Sequence, residues 1–328
     1  MRAVVVGEIG NRTSIKITET DTPKPKAGQV LIEAHNASIN FPDLLQIDGK
    51  YQIKPPLPFI PGKEAAGTVI SVGDDVKNFS KGDRVSAQVD YGAFAEQILA
   101  PEKSVYPLPD AVDFKNASVL GLAYVTAYVA LTERAQIKSG DIVLVTGAAG
   151  GVGLAAVQLA KTFGATVLAG LTTMSKQDTV RDAGTDYIID MSHGDLKDSV
   201  RQQVKDAISK NVDIVIDPVG GDIFDACLRT LNWCGRIVTL GFTSGRIPEI
   251  KANYLLLKNI SASGMTINGY LIQEPETVRH AQSKVFALYA QGKFKPVISS
   301  EHPLEDFGAA LNKLESRDFV GKIVLSIK

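Results

Sequence analysis

Residues Thr146 to Leu154 read TGAAGGVGL, directly after the apolar run Ile142-Val143-Leu144-Val145 and directly before AAVQLAKTFG. A buried strand therefore turns through glycines straight into a helix, which confines the chain to few folds and makes the turn a phosphate cradle. Gly147, Gly150 and Gly153 remove Cβ atoms where a pyrophosphate must approach the backbone, and Ala149 and Val152 complete the turn. The helix opening near Gly151 directs unpaired N–H groups and its positive dipole end at that anion. The spacing is G-x-x-G-x-x-G rather than G-x-G-x-x-G, and a glycine-rich strand–helix turn without a ligand is the alternative reading.

The rest of the chain supplies the sheet that such a turn needs. Apolar runs at Ile142–Thr146, Thr166–Gly170, Tyr187–Asp190, Val212–Asp217, Arg236–Gly241 and Ile260–Gly264 are separated by helical stretches such as KQDTVRDAG and DIFDACLRTLNWCG. Six strands in this rhythm predict a doubly wound parallel sheet. From residue 1 to about 110 the pattern is different. Short runs such as QVLIEAHNASI and EAAGTVISVG are broken at Pro25-Lys26-Ala27-Gly28, Gly73-Asp74-Asp75 and Lys81-Gly82-Asp83, as in a β barrel or sandwich. After Gly264 come a Gly/Asn turn, a helix over roughly 275–292 and a last strand in GKIVLSIK, a tail expected to rejoin the first domain.

At 328 residues the chain exceeds the usual single core, so two domains are expected. Lys and Arg number 35 against 36 Asp and Glu, a net charge of −1, which offers no basic field for nucleic acid or anionic lipid. The uncharged stretch from Asn116 to Thr132 contains Ser, Thr and two Tyr and falls short of the roughly 18 apolar residues of a spanning helix. MRAVVVGEIG reads as a strand rather than a signal peptide, so a cytoplasmic protein with a small-molecule ligand is expected. Cys227 and Cys234 do not form a C-x-x-C pair, and His35, His193, His280 and His302 have no ligand spacing, so no metal is expected.

Several separated segments carry a resemblance: NFPDLLQIDGKYQIKPPLPFIPGKEAAGTV, the KGDRV turn, GLAYVTAYVAL, VTGAAGGVGLAAVQLAK and SRDFVGKIVL. Together, over nearly the whole chain, they are similar to the quinone oxidoreductase branch of the medium-chain dehydrogenase/reductase family. The resemblance implies an α/β architecture: a Rossmann-type doubly wound parallel sheet over residues 121–267, and a GroES-like β-rich substrate domain formed by residues 1–120 and 268–328. It also implies a homodimer or tetramer in which the last sheet strand pairs across a two-fold axis. Zinc-using relatives carry metal ligands where this chain has Asn40 and Lys63. A lysine ammonium is a donor only and repels a divalent cation, so the reading is zinc-independent.

The same resemblance assigns candidate residues. Thr172, Thr173 and Lys176 follow the second strand with no carboxylate before Asp178, which suits a 2′-phosphate and hence NADPH. Arg317 matches another residue near that phosphate, while Met191 replaces a tyrosine that also contacts it. The alternative for Lys176 and Arg317 is a solvated surface charge. Thr126 matches a residue at the nicotinamide, or else bonds its own helix backbone. Gly241 and Phe242, after the fifth strand, complete the cofactor set. Asn40, Asp43 and Tyr51 are the catalytic candidates; Asn40 and Asp43 alternatively cap a helix in PDLLQI, and Tyr51 alternatively packs a loop. G-K-Y-Q-x-K-P-P-L-P also resembles the loop of mitochondrial enoyl thioester reductases, where the tyrosine donates a proton. The expected activity is hydride transfer from NADPH to a quinone or other electron-poor alkene. The alternatives are an NADPH-dependent enoyl reductase of α,β-unsaturated ketones, acids or thioesters, and a non-catalytic NADPH-binding protein.

Overall fold

The N-terminal apolar runs become strands β1 (Arg2–Val6), β2 (Ile15–Glu19), β3 (Gln29–Ile39), β4 (Glu64–Val72), β5 (Arg84–Gln88), β6 (Gln97–Pro101) and β7 (Val105–Pro107) in the computed structural model, which describes residues 1–328. Helix α1 (Phe41–Ile47) follows β3, and α2 (Phe114–Val119) and α3 (Leu122–Val129) follow β7. The nucleotide-type sheet is built from β8 (Ile142–Val145), β9 (Thr166–Leu171), β10 (Tyr187–Asp190), β11 (Val212–Asp217), β12 (Leu231–Thr239) and β13 (Ser261–Gly264), with α4 (Gly151–Thr162) between β8 and β9. The chain ends with β14 (Ile298–Pro303), a helix at Phe307–Ser316 and β15 (Lys322–Ser326).

Two compact units result. The first comprises Met1–Leu122, Gln282–Gln291 and Pro296–Lys328; the second comprises Ala123–Ala281 and Gly292–Lys295. The return to the first unit comes at Gln282, inside the helix Pro275–Ala290, rather than near residue 268. Gln282 belongs there because its buried amide donates to the Leu120 carbonyl and accepts from Gln88 Nε2.

In the first unit β3 is central, paired antiparallel to β4, β6 and β15. The final strand thus closes against the first third of the chain. Val4, Ile39, Ile47, Phe94, Phe307 and Ile323 meet in its core. β2 and β7 are missing from the periodicity reading for a physical reason. β2 carries only two apolar residues, Ile15 and Ile17, which pack partly buried against the core, and β7 is three residues long.

The second unit has the strand order β10-β9-β8-β11-β12-β13, all parallel, so the order reverses between β8 and β11. The glycine turn leaves β8 at that switch point, where ligands bind in open sheets of this kind. The fifth strand begins at Leu231, earlier than Arg236, and takes in the LNWCG segment read as helical. Cys234 adopts φ +60, and pairing with β11 jumps from Val212↔Leu231 to Ile214↔Arg236, so an irregular strand start hides the period of two. β13 pairs only with β12 and is an edge. No helix is long and apolar enough to cross a membrane.

Candidate functional site

The turn after β8 alternates buried and accessible residues. Thr146, Ala148 and Gly153 are buried, whereas Gly147, Ala149, Gly150, Gly151 and Val152 remain partly open. Gly147 needs its glycine because φ is +56. Gly153 needs its own because a Cβ there would lie 2.2 Å from the Gly147 carbonyl oxygen. At Gly150 a Cβ would meet only that oxygen, at 3.4 Å, so this glycine leaves space that nothing in the chain fills. Gly150 is the N-cap of α4 and no side chain caps the helix, so its first amides are left for an external anion. A buried carboxylate holds the loop from behind: Asp217 accepts from the Thr146 hydroxyl and from the Val219 and Gly220 amides. Burial raises the Asp217 carboxyl above its ordinary range, against the pull of those donors.

Beside the turn, Thr172 and Thr173 are exposed directly after β9, and Lys176 ends a short 3₁₀ turn at Met174–Lys176. Their neighbour Met191 is buried, with its thioether where a Gly170 side chain would go, so it serves the core. Gly241 and the half-exposed Phe242 follow β12 at the same end of the sheet. Thr126 is buried on α3. Arg317 is in the first unit, at φ +57 after the helix Phe307–Ser316.

The first unit gathers Asn40 and Asp43 with residues the sequence reading did not select. Asn40 Oδ1 accepts from Lys322 Nζ at 2.5 Å, and Asn40 Nδ2 donates to Glu64 Oε1 at 3.0 Å and the Ser38 carbonyl at 3.2 Å. Glu64 Oε1 also accepts from Lys322 at 3.0 Å and from Ser38 Oγ at 2.5 Å, while Oε2 accepts from the Leu122 amide at 2.6 Å. Glu64 and Lys322 are almost fully buried, so each charge depends on the other. Lys322 was visible in sequence only as one charge at the start of an apolar strand.

Asp43 does cap: its Oδ2 accepts from the Asn40 amide at 2.7 Å, closing the first turn of α1. Its other oxygen is buried without a hydrogen-bond partner. Burial pushes the Asp43 carboxyl up to about 7, against the pull of the Lys63 ammonium and the Asn40 amide. Lys63 in turn is lowered by burial, partly offset by Asp43. Its Nζ donates to the Asp90 carbonyl at 2.8 Å and lies 4.5 Å from the centroid of the Tyr51 ring. Tyr51 is half-buried. No group of three or more His, Cys, Asp or Glu side chains is placed to hold a metal.

Comparison with known proteins agrees with this architecture. The family model for the alcohol dehydrogenase GroES-like domain matches residues 26–110, and that for zinc-binding dehydrogenase matches residues 151–283. The chain is 37% identical to quinone oxidoreductase-like protein 2 homolog of Nematostella vectensis, over 100% of this chain and 89% of that protein. It is 35% identical to quinone oxidoreductase of Homo sapiens, over 99% of this chain and 97% of the relative. Among solved structures, Escherichia coli quinone oxidoreductase complexed with NADPH superposes with a TM-score of 0.90 at 30% identity, over 100% of both chains.

Proposed function

We propose that this chain, which belongs to the quinone oxidoreductase branch of the medium-chain dehydrogenase/reductase family, is an NADPH-dependent reductase of quinones or other electron-poor alkenes that works without zinc. The observation that carries the reading is the uncapped α4 N-terminus behind Gly150, flanked by the Thr172, Thr173 and Lys176 donors with no carboxylate among them. The amides of Gly151 and Val152, with the helix dipole, hold the diphosphate, and Gly147, Ala149 and Gly153 shape the turn around it. Thr172, Thr173 and Lys176 hold the 2′-phosphate, where an acid would favour the free ribose hydroxyl instead. Gly241, Phe242 and Thr126 contact the remainder of the cofactor. NADPH, when bound, supplies the hydride. The NADPH complex of the similar Escherichia coli enzyme supports this choice.

The donor set supports zinc independence. Lys63 contributes an ammonium, and Asn40 has both amide hydrogens and one carbonyl contact committed, so neither supplies a strong metal ligand. A quinone asks little of the protein beyond positioning, because its reduced oxygens collect protons from solvent. The second reading, reduction of an enone or enoyl thioester, needs a proton at carbon. The contact between Tyr51 and a buried cation favours it, with Tyr51 as the donor and Asn40 and Asp43 supporting that loop. The homodimer through the open edge of β13 and the cytoplasmic setting belong to the same proposal.

The test is a steady-state screen of NADPH against NADH with quinones, enones and enoyl thioesters. Preferential NADPH oxidation with at least one acceptor class is the expected result. Tight NADPH binding with no oxidation by any acceptor refutes the enzyme reading and leaves a binding protein.

A further inference from the structure

Lys63 follows Gly62 and immediately precedes β4, and it is 3% exposed. An ammonium so buried costs free energy unless the groups around it compensate. Three do so: the Asp90 carbonyl at 2.8 Å, the charge of Asp43 on α1, and the face of the Tyr51 ring at 4.5 Å. The Asp90 carboxylate adds a favourable field, and Glu64 and Lys322 act on Asp43 from the neighbouring strands. The Asp90 carbonyl fixes the ammonium from the backbone, so the cation is held in place against the face of the Tyr51 ring.

We infer that Lys63 is a positioning residue for Tyr51, its ammonium orienting the phenol ring and supporting the negative charge left on it after proton donation. This rests on the alkene-reducing form of the proposed function. Once the β carbon of the acceptor has taken hydride from reduced nicotinamide, an enolate remains. The Tyr51 O–H bond then breaks, a C–H bond forms at the α carbon, and the phenolate recovers a proton from water. A fixed cation at the ring face favours that phenolate and holds the hydroxyl in one direction.

The experiment measures kcat and KM for an α,β-unsaturated ketone and a short enoyl thioester with saturating NADPH. It compares wild type, Lys63→Met, Lys63→Gln, Tyr51→Phe and the two double variants. Lys63→Gln keeps a donor for the Asp90 carbonyl but no charge, which separates charge from structural support if the methionine variant folds poorly. Each Lys63 variant is expected to lower kcat by roughly tenfold with KM for the acceptor changed by less than about twofold. In the Tyr51→Phe background the same changes are expected to add no more than about twofold, because the pathway they act through is already gone. The inference is overturned if Lys63→Gln matches wild type, or if the Lys63 loss persists in full in the Tyr51→Phe background. A wild-type protein that reduces neither acceptor overturns it together with the alkene-reducing reading, a failure visible before any variant is made.

Discussion

Two glycines three residues apart make different demands, and replacing each by alanine separates the fold of the turn from its ligand. At Gly153 the new Cβ would lie 2.2 Å from the Gly147 oxygen, 2.8 Å from its carbonyl carbon and 2.9 Å from the Ala148 Cα. All three are backbone atoms of the same turn, so relief requires α4 to move away from it. Overpacking of this kind costs about 3 kcal/mol, and the alanine gain within a helix returns about 1 kcal/mol. The net of about 2 kcal/mol corresponds to a fall of roughly 4–8 °C in melting temperature. At Gly150 the single contact is 3.4 Å and the backbone, at φ −81 and ψ 171, accepts any residue. Gly150→Ala is therefore expected to melt within about 2 °C of wild type, the N-cap preference for glycine being its main cost. Its methyl group nevertheless fills the space through which a diphosphate reaches the α4 amides. Titration calorimetry should show NADPH bound at least about tenfold more weakly, or 1.4 kcal/mol. Wild-type affinity in Gly150→Ala, or wild-type melting in Gly153→Ala, refutes the reasoning.

Three further outcomes are expected. Tyr51→Phe should lower kcat for enones by roughly a hundredfold and reduce the ratio of enone to quinone turnover, whereas equal losses on both acceptors remove Tyr51 from the proton step. Lys176→Ala should raise the Kd for NADPH by about fivefold while leaving that for NADH unchanged; calorimetry with both coenzymes checks this, and a uniform loss excludes a 2′-phosphate contact. Asp43 titrates at about 7 in the fold against an ordinary 3.8, so the folded state holds its proton more tightly and the associated stability is full below about pH 4 and lost as pH rises through 7. That interval corresponds to at most about 4 kcal/mol, so urea unfolding of Asp43→Asn should gain on wild type by about 2–4 kcal/mol between pH 4.5 and 8, and parallel pH curves exclude the assignment.

What the sequence disclosed tracks the range of the forces involved. The glycine turn and the six parallel strands rest on local periodicity and turn chemistry, which a linear reading samples directly, whereas the return of the last strand to β3 is a long-range pairing for which the family resemblance gave the support. β2 and β7 escaped because one carries only two apolar residues, Ile15 and Ile17, and the other is three residues long. The buried polar cluster escaped for a different reason. Lys322 and Asn40 are 282 positions apart, and neither carries a local sign of the other. A charge at the head of an apolar strand reads as a solvated end until its partner is found.

Asn40 and Asp43 show how the cluster separates readings that the sequence left together. The helix-capping alternative describes Asp43, whose carboxylate closes the turn on the Asn40 amide. Asn40 itself is occupied: both N–H donors go to Ser38 and Glu64, one lone pair goes to Lys322, and a single lone pair remains. A side chain so committed can orient a neighbour but has little left to exchange with a substrate. Asp43 has one buried oxygen without a partner and a carboxyl near neutrality, so it can hold or release a proton without leaving its place in α1. In the proposed reading the chemistry of this unit therefore concentrates on Tyr51, Lys63 and Asp43. There burial raises the acid Asp43 and lowers the base Lys63, while each offsets part of the shift of the other.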